Sequence, residues 1–209
     1  QVGTLQEKSL YFTDFTDWGA YKTEAKEDET SVSRKMKYCH ENLTFTIFNT
    51  QISSSNFNTG KFPDWEGGML MAAKSNTPYI LTSSLASVTK ARFRHGATGG
   101  NRGWKFWAKG DGDTDWVLIS DKVANPQQGS EVDCVVNKTN CQLKFTNITS
   151  NQNAYLFQLE IFGNVDMSKA PALGAFTVNG KEYQSADVFT EDANGEMAGT
   201  VEISKKEQM

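Results

Sequence analysis

The sequence predicts an all-β protein: an antiparallel β-sandwich or jelly roll with a short C-terminal β extension. Three features carry that expectation. Short segments alternate apolar and polar residues with period two, at intervals of about ten residues. The connections between them are rich in Gly, Asp and Asn. No stretch of about a dozen residues shows the apolar spacing of an amphipathic helix.

Size and composition agree. The chain has 209 residues, 38% hydrophobic, 11% aromatic and 22% charged, with a net charge of −4. That is an ordinary size for one core of about 150–250 residues. The balance disfavours a disordered chain and a generic nucleic-acid binder, and four prolines with seventeen glycines exclude collagen-like sequence. Apolar runs such as residues 69–73 (MLMAA) fall far short of the roughly 20 residues a membrane helix requires. The chain starts at Gln1 rather than Met, as expected of a mature or trimmed chain, which keeps secretion open.

The elements follow in order. Residues 43–47 (LTFTI) alternate as a strand, and residues 91–95 (ARFRH) form another, closed by the connection 96–103 (GATGGNRG). Residues 104–108 and 116–120 flank KGDGDTD and predict a hairpin. Cys134 and Cys141 flank VVNKTN, which reads as a strand, a polar turn and the next strand (141–146, CQLKFT). A disulfide across that turn needs Cα atoms within about 7 Å; with Cys39, the three cysteines cannot all pair within the chain. Cys39 and His40, if on a strand, would point to opposite faces. Residues 155–163 (YLFQLEIFG) make a long strand ending on Gly163. No Cys/His spacing suits structural zinc, and no repeat has solenoid or propeller period. Asn42, Asn137 and Asn147 open N-x-T sequons and read as polar residues at strand ends.

A boundary is expected near residues 164–172, giving a sandwich over 1–165 and a linker plus β-hairpin segment over 166–209. Residues 164–209 hold four basic and eight acidic side chains, whereas residues 85–146 hold nine basic and six acidic. Residues 176–183 (FTVNGKEY) carry an Asn-Gly hairpin turn, and residues 198–203 a further strand. So short a segment should not fold alone. It is expected either to pack on the sandwich or to begin a second domain.

The run VTKARFRH, then GNRGWKFWAKGDGDTDWVLIS, then NCQLKFTN and NAYLFQLEIFG resembles a galactose-binding-like jelly roll over roughly residues 8–165. More narrowly, it resembles modules attached to secreted bacterial pectate lyases and related polysaccharide-degrading proteins. That resemblance implies a non-catalytic carbohydrate-binding module for pectic, uronate-containing glycan. It would be secreted or displayed at a bacterial surface (periplasm or outer-membrane surface), with a tethered catalytic domain in a longer parent chain as partner. It also implies a structural calcium near the chain start, to which Asp14 and Asp17 would contribute.

Side-chain parity gives a counterpart from the residues themselves. With Phe93, Trp104, Phe106, Ala108, Leu143, Phe145, Phe157, Leu159 and Ile161 inward, the outward set is Arg92, Arg94, Lys105, Trp107, Lys109, Gln142, Lys144 and Gln158. The expectation places that set on one sheet. Guanidinium forks pair with uronate carboxylates, amides with hydroxyls, and an indole stacks on the apolar face of a sugar. The plainer reading is a solvated sheet face covered by Lys and Arg stems.

The connection 96–103 is a second candidate site through Asn101 and Arg102, with His95 read as an inward-facing, satisfied histidine. Trp65, in FPDWEGG, is either a sugar platform or a plug for one end of the sandwich. Asp111, Asp113 and Asp115 alternate like a calcium loop, but Trp116 and Lys122 stand where an EF-hand needs Gly and Glu, so a hairpin turn is the better account.

Nothing favours catalysis. The sequence lacks GxSxG, HExxH, a Walker loop and GxGxxG, and its two histidines are His40 and His95. The alternatives kept are a structural or protein-docking sandwich of a larger secreted enzyme, and a pectate-lyase-type enzyme.

Overall fold

The computed structural model describes residues 4–18, 28–72 and 77–169, with the backbone of three further strands at 175–178, 181–184 and 203–205. The chain divides into two compact units, Gln1–Met167 and Ser168–Met209. The described secondary structure is entirely β, as the alternation requires, and every strand pair is antiparallel.

The first unit holds β1 (Leu5–Thr13), β2 (Glu29–Lys35), β3 (Asn42–Phe48), β4 (Thr50–Ser53), β5 (Met69–Ala72), β6 (Tyr79–Thr82), β7 (Leu85–Gly96), β8 (Trp104–Lys109), β9 (Val117–Ser120), β10 (Gly129–Asn147) and β11 (Tyr155–Asp166). In the first sheet β10 pairs with β7, β7 with β11, and β11 with β1 and β5; β4 closes the edge on β5. In the second sheet the order is β2-β3-β6-β10-β8-β9. The two layers form a jelly-roll sandwich. Strand β10 belongs to both: its first part, to Cys141, pairs with β7, and residues 142–147 pair with β6 and β8.

Inward residues of the two sheets meet in one aromatic core. The Phe93 ring of β7 lies 5.5 Å from Phe106 of β8 and 5.2 Å from Phe145 of β10, edge-on to both. Beside them Trp104, Ala108, Leu143, Leu159 and Ile161 are fully buried, as parity predicts.

Three expectations are corrected. Cys134 and Cys141 do not flank a reversal; they lie on the same strand, both buried and both free. The VVNKTN segment is a bulge, with Asn137 and Asn140 in the left-handed region (φ 51° and 46°) and a register shift between Val135 and Lys138. Asn tolerates that conformation, so the segment has a turn's composition without reversing the chain. Cys39 and His40 sit in the connection between β2 and β3 rather than on a strand. Phe157 does not join the central core: the register shifts between Leu156 and Gln158, so Leu156 and Leu159 both point inward. Phe157 instead packs with Phe62, Met69 and Tyr155 in a second cluster. A Cβ on the neighbouring Gly96 would sit 2.5 Å from the Phe157 ring, which places that ring on the outer side of the first sheet.

In the second unit, β12 (Ala175–Val178) pairs with β13 (Lys181–Gln184) and with β14 (Ile203–Lys205). The ladder closes on the Val178–Lys181 pair, and the expected Asn-Gly turn at 179–180 lies outside the described residues. Of the strand expected over 198–203 only Ile203 is described, and it opens β14; residues 198–202 lie outside the described residues.

Replacing Phe93 by Ala should lower unfolding free energy by about 3–5 kcal/mol in urea titrations, because Phe93 of the first sheet packs against the Phe106 and Phe145 rings of the second. A loss under about 1 kcal/mol would show that the two sheets do not depend on this contact.

Candidate functional site

The outward stripe is real, but it is divided. Arg92, Arg94 and Gln158 lie on the outer face of the first sheet. Lys105, Trp107, Lys109, Gln142 and Lys144 lie on the outer face of the second. The expected single sheet is therefore two faces with the core between them. The error arises because parity fixes the side a residue faces within its own sheet and cannot say which sheet a strand joins.

The two faces differ in charge balance. Arg92 is surrounded by carboxylates: Asp133 at 3.2 Å, Glu131 at 3.7 Å and Glu160 at 3.7 Å. It is thereby neutralised as a free anion receptor. On the second sheet, Lys105, Lys109 and Lys144 make no ion pair among the described residues. The turn carboxylates nearest them are already used. Asp113 accepts from the Lys138 ammonium at 2.8 Å and the Gly110 N–H at 2.9 Å, which hold its carboxyl below the usual range. Asp111 accepts from Thr139 at 2.9 Å and Asn140 at 2.8 Å. The KGDGDTD turn is thus tied to the β10 bulge, in keeping with the hairpin account.

Register aligns the second face. Thr46, Leu81, Lys144, Trp107 and Leu118 form one row across β3, β6, β10, β8 and β9. Phe48, Tyr79, Thr146 and Lys105 form the next. Trp107 is half-buried, and its indole N–H donates to Thr146 Oγ1 at 2.8 Å, fixing the ring. Lys144 Nζ lies 5.9 Å from the Trp107 ring centre and 4.2 Å from that of Trp116. Burial, and secondarily the charge of Lys109, push the Lys144 ammonium below its usual range. Lys105 Nζ lies 6.0 Å from Trp107. Phe48 and Tyr79 stack at 5.3 Å, with the Tyr79 hydroxyl hydrogen-bonded to Glu29.

The other candidates stand apart from this face. Trp65 is half-buried against Phe157 at 5.3 Å, donates its indole N–H to the Gly68 carbonyl at 2.7 Å and carries the Arg94 guanidinium 5.4 Å over its ring. The connection 96–103 is pinned: Gln127 N–H donates to Ala97 O at 2.7 Å, Ala124 N–H to Arg102 O at 2.8 Å and Ile148 N–H to Gly103 O at 3.0 Å. Arg102 donates within the connection to Thr98 Oγ1 at 3.2 Å, and the Asn101 carbonyl accepts from the Thr149 hydroxyl. Asp14 accepts from the Thr16 backbone at 3.1 Å and its hydroxyl at 2.5 Å, and Asp17 from Thr13 at 3.4 Å. No cluster of His, Cys, Asp and Glu suited to a metal occurs among the described residues.

Sequence reasoning missed Trp116, Asp64, Gln127 and Gln128. Trp116 ends the KGDGDTD turn one residue before β9, and that position beside an outward Lys144 was its only signal. Asp64, Gln127 and Gln128 lie on loops and line a recess with Trp65 and Arg94, and loop positions leave no periodic trace.

No protein family matches the chain, and no curated protein does. Among solved structures, the K2 cleaved adhesin domain of Lys-gingipain aligns at 8% identity over 75% of this chain and 98% of that one, with a TM-score of 0.43. The family 29 carbohydrate-binding module CBM29_1 from Piromyces equi aligns at 10% identity over 77% and 91%, with a TM-score of 0.41. TmCBM61, solved in complex with β-1,4-galactotriose, aligns at 6% identity over 62% and 90%, with a TM-score of 0.36.

His95 is fully buried, accepts a hydrogen bond at Nδ1 from the Trp104 backbone N–H at 3.2 Å, and is pushed down to about 4 by desolvation. Between pH 6.5 and about 4 the unfolded chain takes up a proton at this residue that the folded chain refuses, so stability falls as pH drops through that window. The loss should reach about 3 kcal/mol. Urea unfolding across pH 7 to 4 should show a shallower decline for His95→Asn, whose amide oxygen can still accept from Trp104. Equal pH slopes for the two proteins would refute this role for His95.

Proposed function

We propose that the outer face of the second sheet is a platform for acidic polysaccharide, with pectic, uronate-containing chains as the favoured class. The observation that carries the reading is the arrangement around Trp107: a fixed, half-exposed indole beside Lys105, Lys109 and Lys144, with no carboxylate among the described residues paired to any of them. The indole offers a face to the C–H side of a sugar ring, and the ammonium groups offer charge to carboxylates along the chain. Thr44, Thr46 and Gln142 line the same face, and their hydroxyl and amide groups suit sugar hydroxyls.

A binding role suits the available groups better than a catalytic one. His95 is buried and uses Nδ1 structurally. Burial raises both the Cys134 and Cys141 thiols, the latter to about 11, so neither is an activated nucleophile. A shallow, polar face also limits affinity. Dissociation constants of about micromolar to millimolar are expected, and tethering to a catalytic partner would raise the effective concentration at substrate.

Calorimetry and affinity electrophoresis with polygalacturonate, rhamnogalacturonan and a neutral glucan test the reading. Polygalacturonate should be retained and the glucan not, with retention weakening as salt rises from about 50 to 500 mM. Trp107→Ala should weaken binding about tenfold and Lys144→Ala several-fold, a range of about 0.5–1.5 kcal/mol. Absence of binding to every acidic glycan, or binding indifferent to both substitutions, would overturn it.

A further inference from the structure

On the opposite face, two glycines pair across strands: Gly96 of β7 with Gly129 of β10. Together they leave a trough in the outer surface of the first sheet. The Phe157 and Phe62 rings occupy the space a Gly96 side chain would need, and a Cβ on Gly129 would lie 2.1 Å from Arg94 Nε. Arg94 therefore lies against the sheet over the diagonal position Gly129, with its guanidinium over Trp65. Residues 62–65 close one side. Asn56 holds them by donating to the Phe62 carbonyl at 2.7 Å and the Trp65 carbonyl at 2.9 Å.

The result is a recess of about 180 Å³ bounded by Phe62, Pro63, Asp64, Trp65, Arg94 and Gln127, with Gln128, Gly129 and Phe157 completing it. A second recess shares Pro63, Asp64, Trp65 and Arg94 and adds Asp14, Glu66 and Gln158. Unlike Arg92, Arg94 has no hydrogen-bond acceptor or ion-pair partner among the described residues. It is a fixed fork of donors with no acceptor among the described residues.

We propose that this recess is a second binding site, independent of the lysine-rich face, and that it takes one neutral pyranose unit. Three arguments select that class. The recess bounded by Gln127, Gln128 and Phe157, at about 180 Å³, is below the roughly 300–1,000 Å³ typical of sites enclosing drug-sized ligands and suits one ring; the adjoining recess of about 510 Å³ flanks the site and is not part of it. The polar groups are mixed: Arg94 donates, Asp64 accepts, and the Gln127 and Gln128 amides do both, matching hydroxyls that donate and accept at once. The Asp64, Glu66 and Asp14 carboxylates around the single guanidinium disfavour a uronate. Because Gly129 and Trp65 already fix the guanidinium, little side-chain order remains to be imposed on binding.

The test is a nuclear magnetic resonance titration of the whole chain with methyl glycosides of neutral hexoses and with methyl galacturonate. At least one neutral glycoside should shift the Trp65 indole and Arg94 Nε signals, with a millimolar dissociation constant, and the uronate should act more weakly. Arg94→Lys, which keeps the charge and loses the fork, should weaken binding at least fivefold. Asp64→Asn at an exposed position supplies the same comparison should Arg94→Lys disturb the sheet. Trp107→Ala should leave this binding unchanged while impairing polygalacturonate retention, so either site can fail alone. No response to any neutral glycoside at about 50 mM, stronger binding of the uronate, or binding indifferent to both recess variants would overturn the proposal.

Discussion

Everything in the sandwich depends on one strand serving two sheets. Strand β10 pairs with β7 up to Cys141 and with β6 and β8 beyond it. To do so it must shift its inward phase. Val132, Cys134 and Val136 point to the core with period two, and the pattern resumes at Cys141, Leu143 and Phe145 after an odd interval. The left-handed Asn137 and Asn140 absorb the odd residue. The Asp111 and Asp113 carboxylates then grip Lys138, Thr139 and Asn140 from the β8–β9 turn. A strict two-residue alternation through this segment would have turned Cys141, Leu143 and Phe145 to solvent and removed the partners that Phe93 packs against.

That bend also explains what could be read from the residues and what could not. Alternation located the strands, and the burial of Phe93, Phe106, Leu143 and Phe145 follows from it directly. The Gly- and Asp-rich turn placed the β8–β9 hairpin because those residues suit a tight reversal. The same chemistry misled at NKTN, where Asn serves a bulge. Bulges defeat parity generally: one at Phe157 moved that ring from the core to the opposite side of its sheet. The division of the cationic stripe was out of reach for a different reason. Which sheet a strand joins is decided by contacts between residues far apart in the chain.

The candidate residues sort by what neighbours them, which no single position reveals. Arg92 and Lys144 are both outward cations on strands. Cross-strand partners make the first an internal ion-pair hub, because Asp133 and Glu160 stand directly opposite it in the two ladders. Lys144 instead has Leu81 and Trp107 as lateral neighbours. Cross-strand pairing is the unit in which sheet surfaces acquire charge or lose it. A count of basic residues along the sequence cannot separate the two outcomes.

The geometry of the sandwich finally constrains how the two proposed sites could act together. Packed sheets lie about 10 Å apart, and the side chains of each outer face add to that separation. Trp107 and Trp65 belong to the outer sides of different sheets, with Phe93, Phe106 and Phe145 between them. One sugar ring therefore cannot touch both. Joint occupancy requires a branched or sharply folded chain, or two chains, an acidic one along the lysine face and a neutral end in the recess. A branched or folded single chain would gain from avidity, because binding at one face raises the effective concentration at the other, whereas two unlinked chains would bind independently.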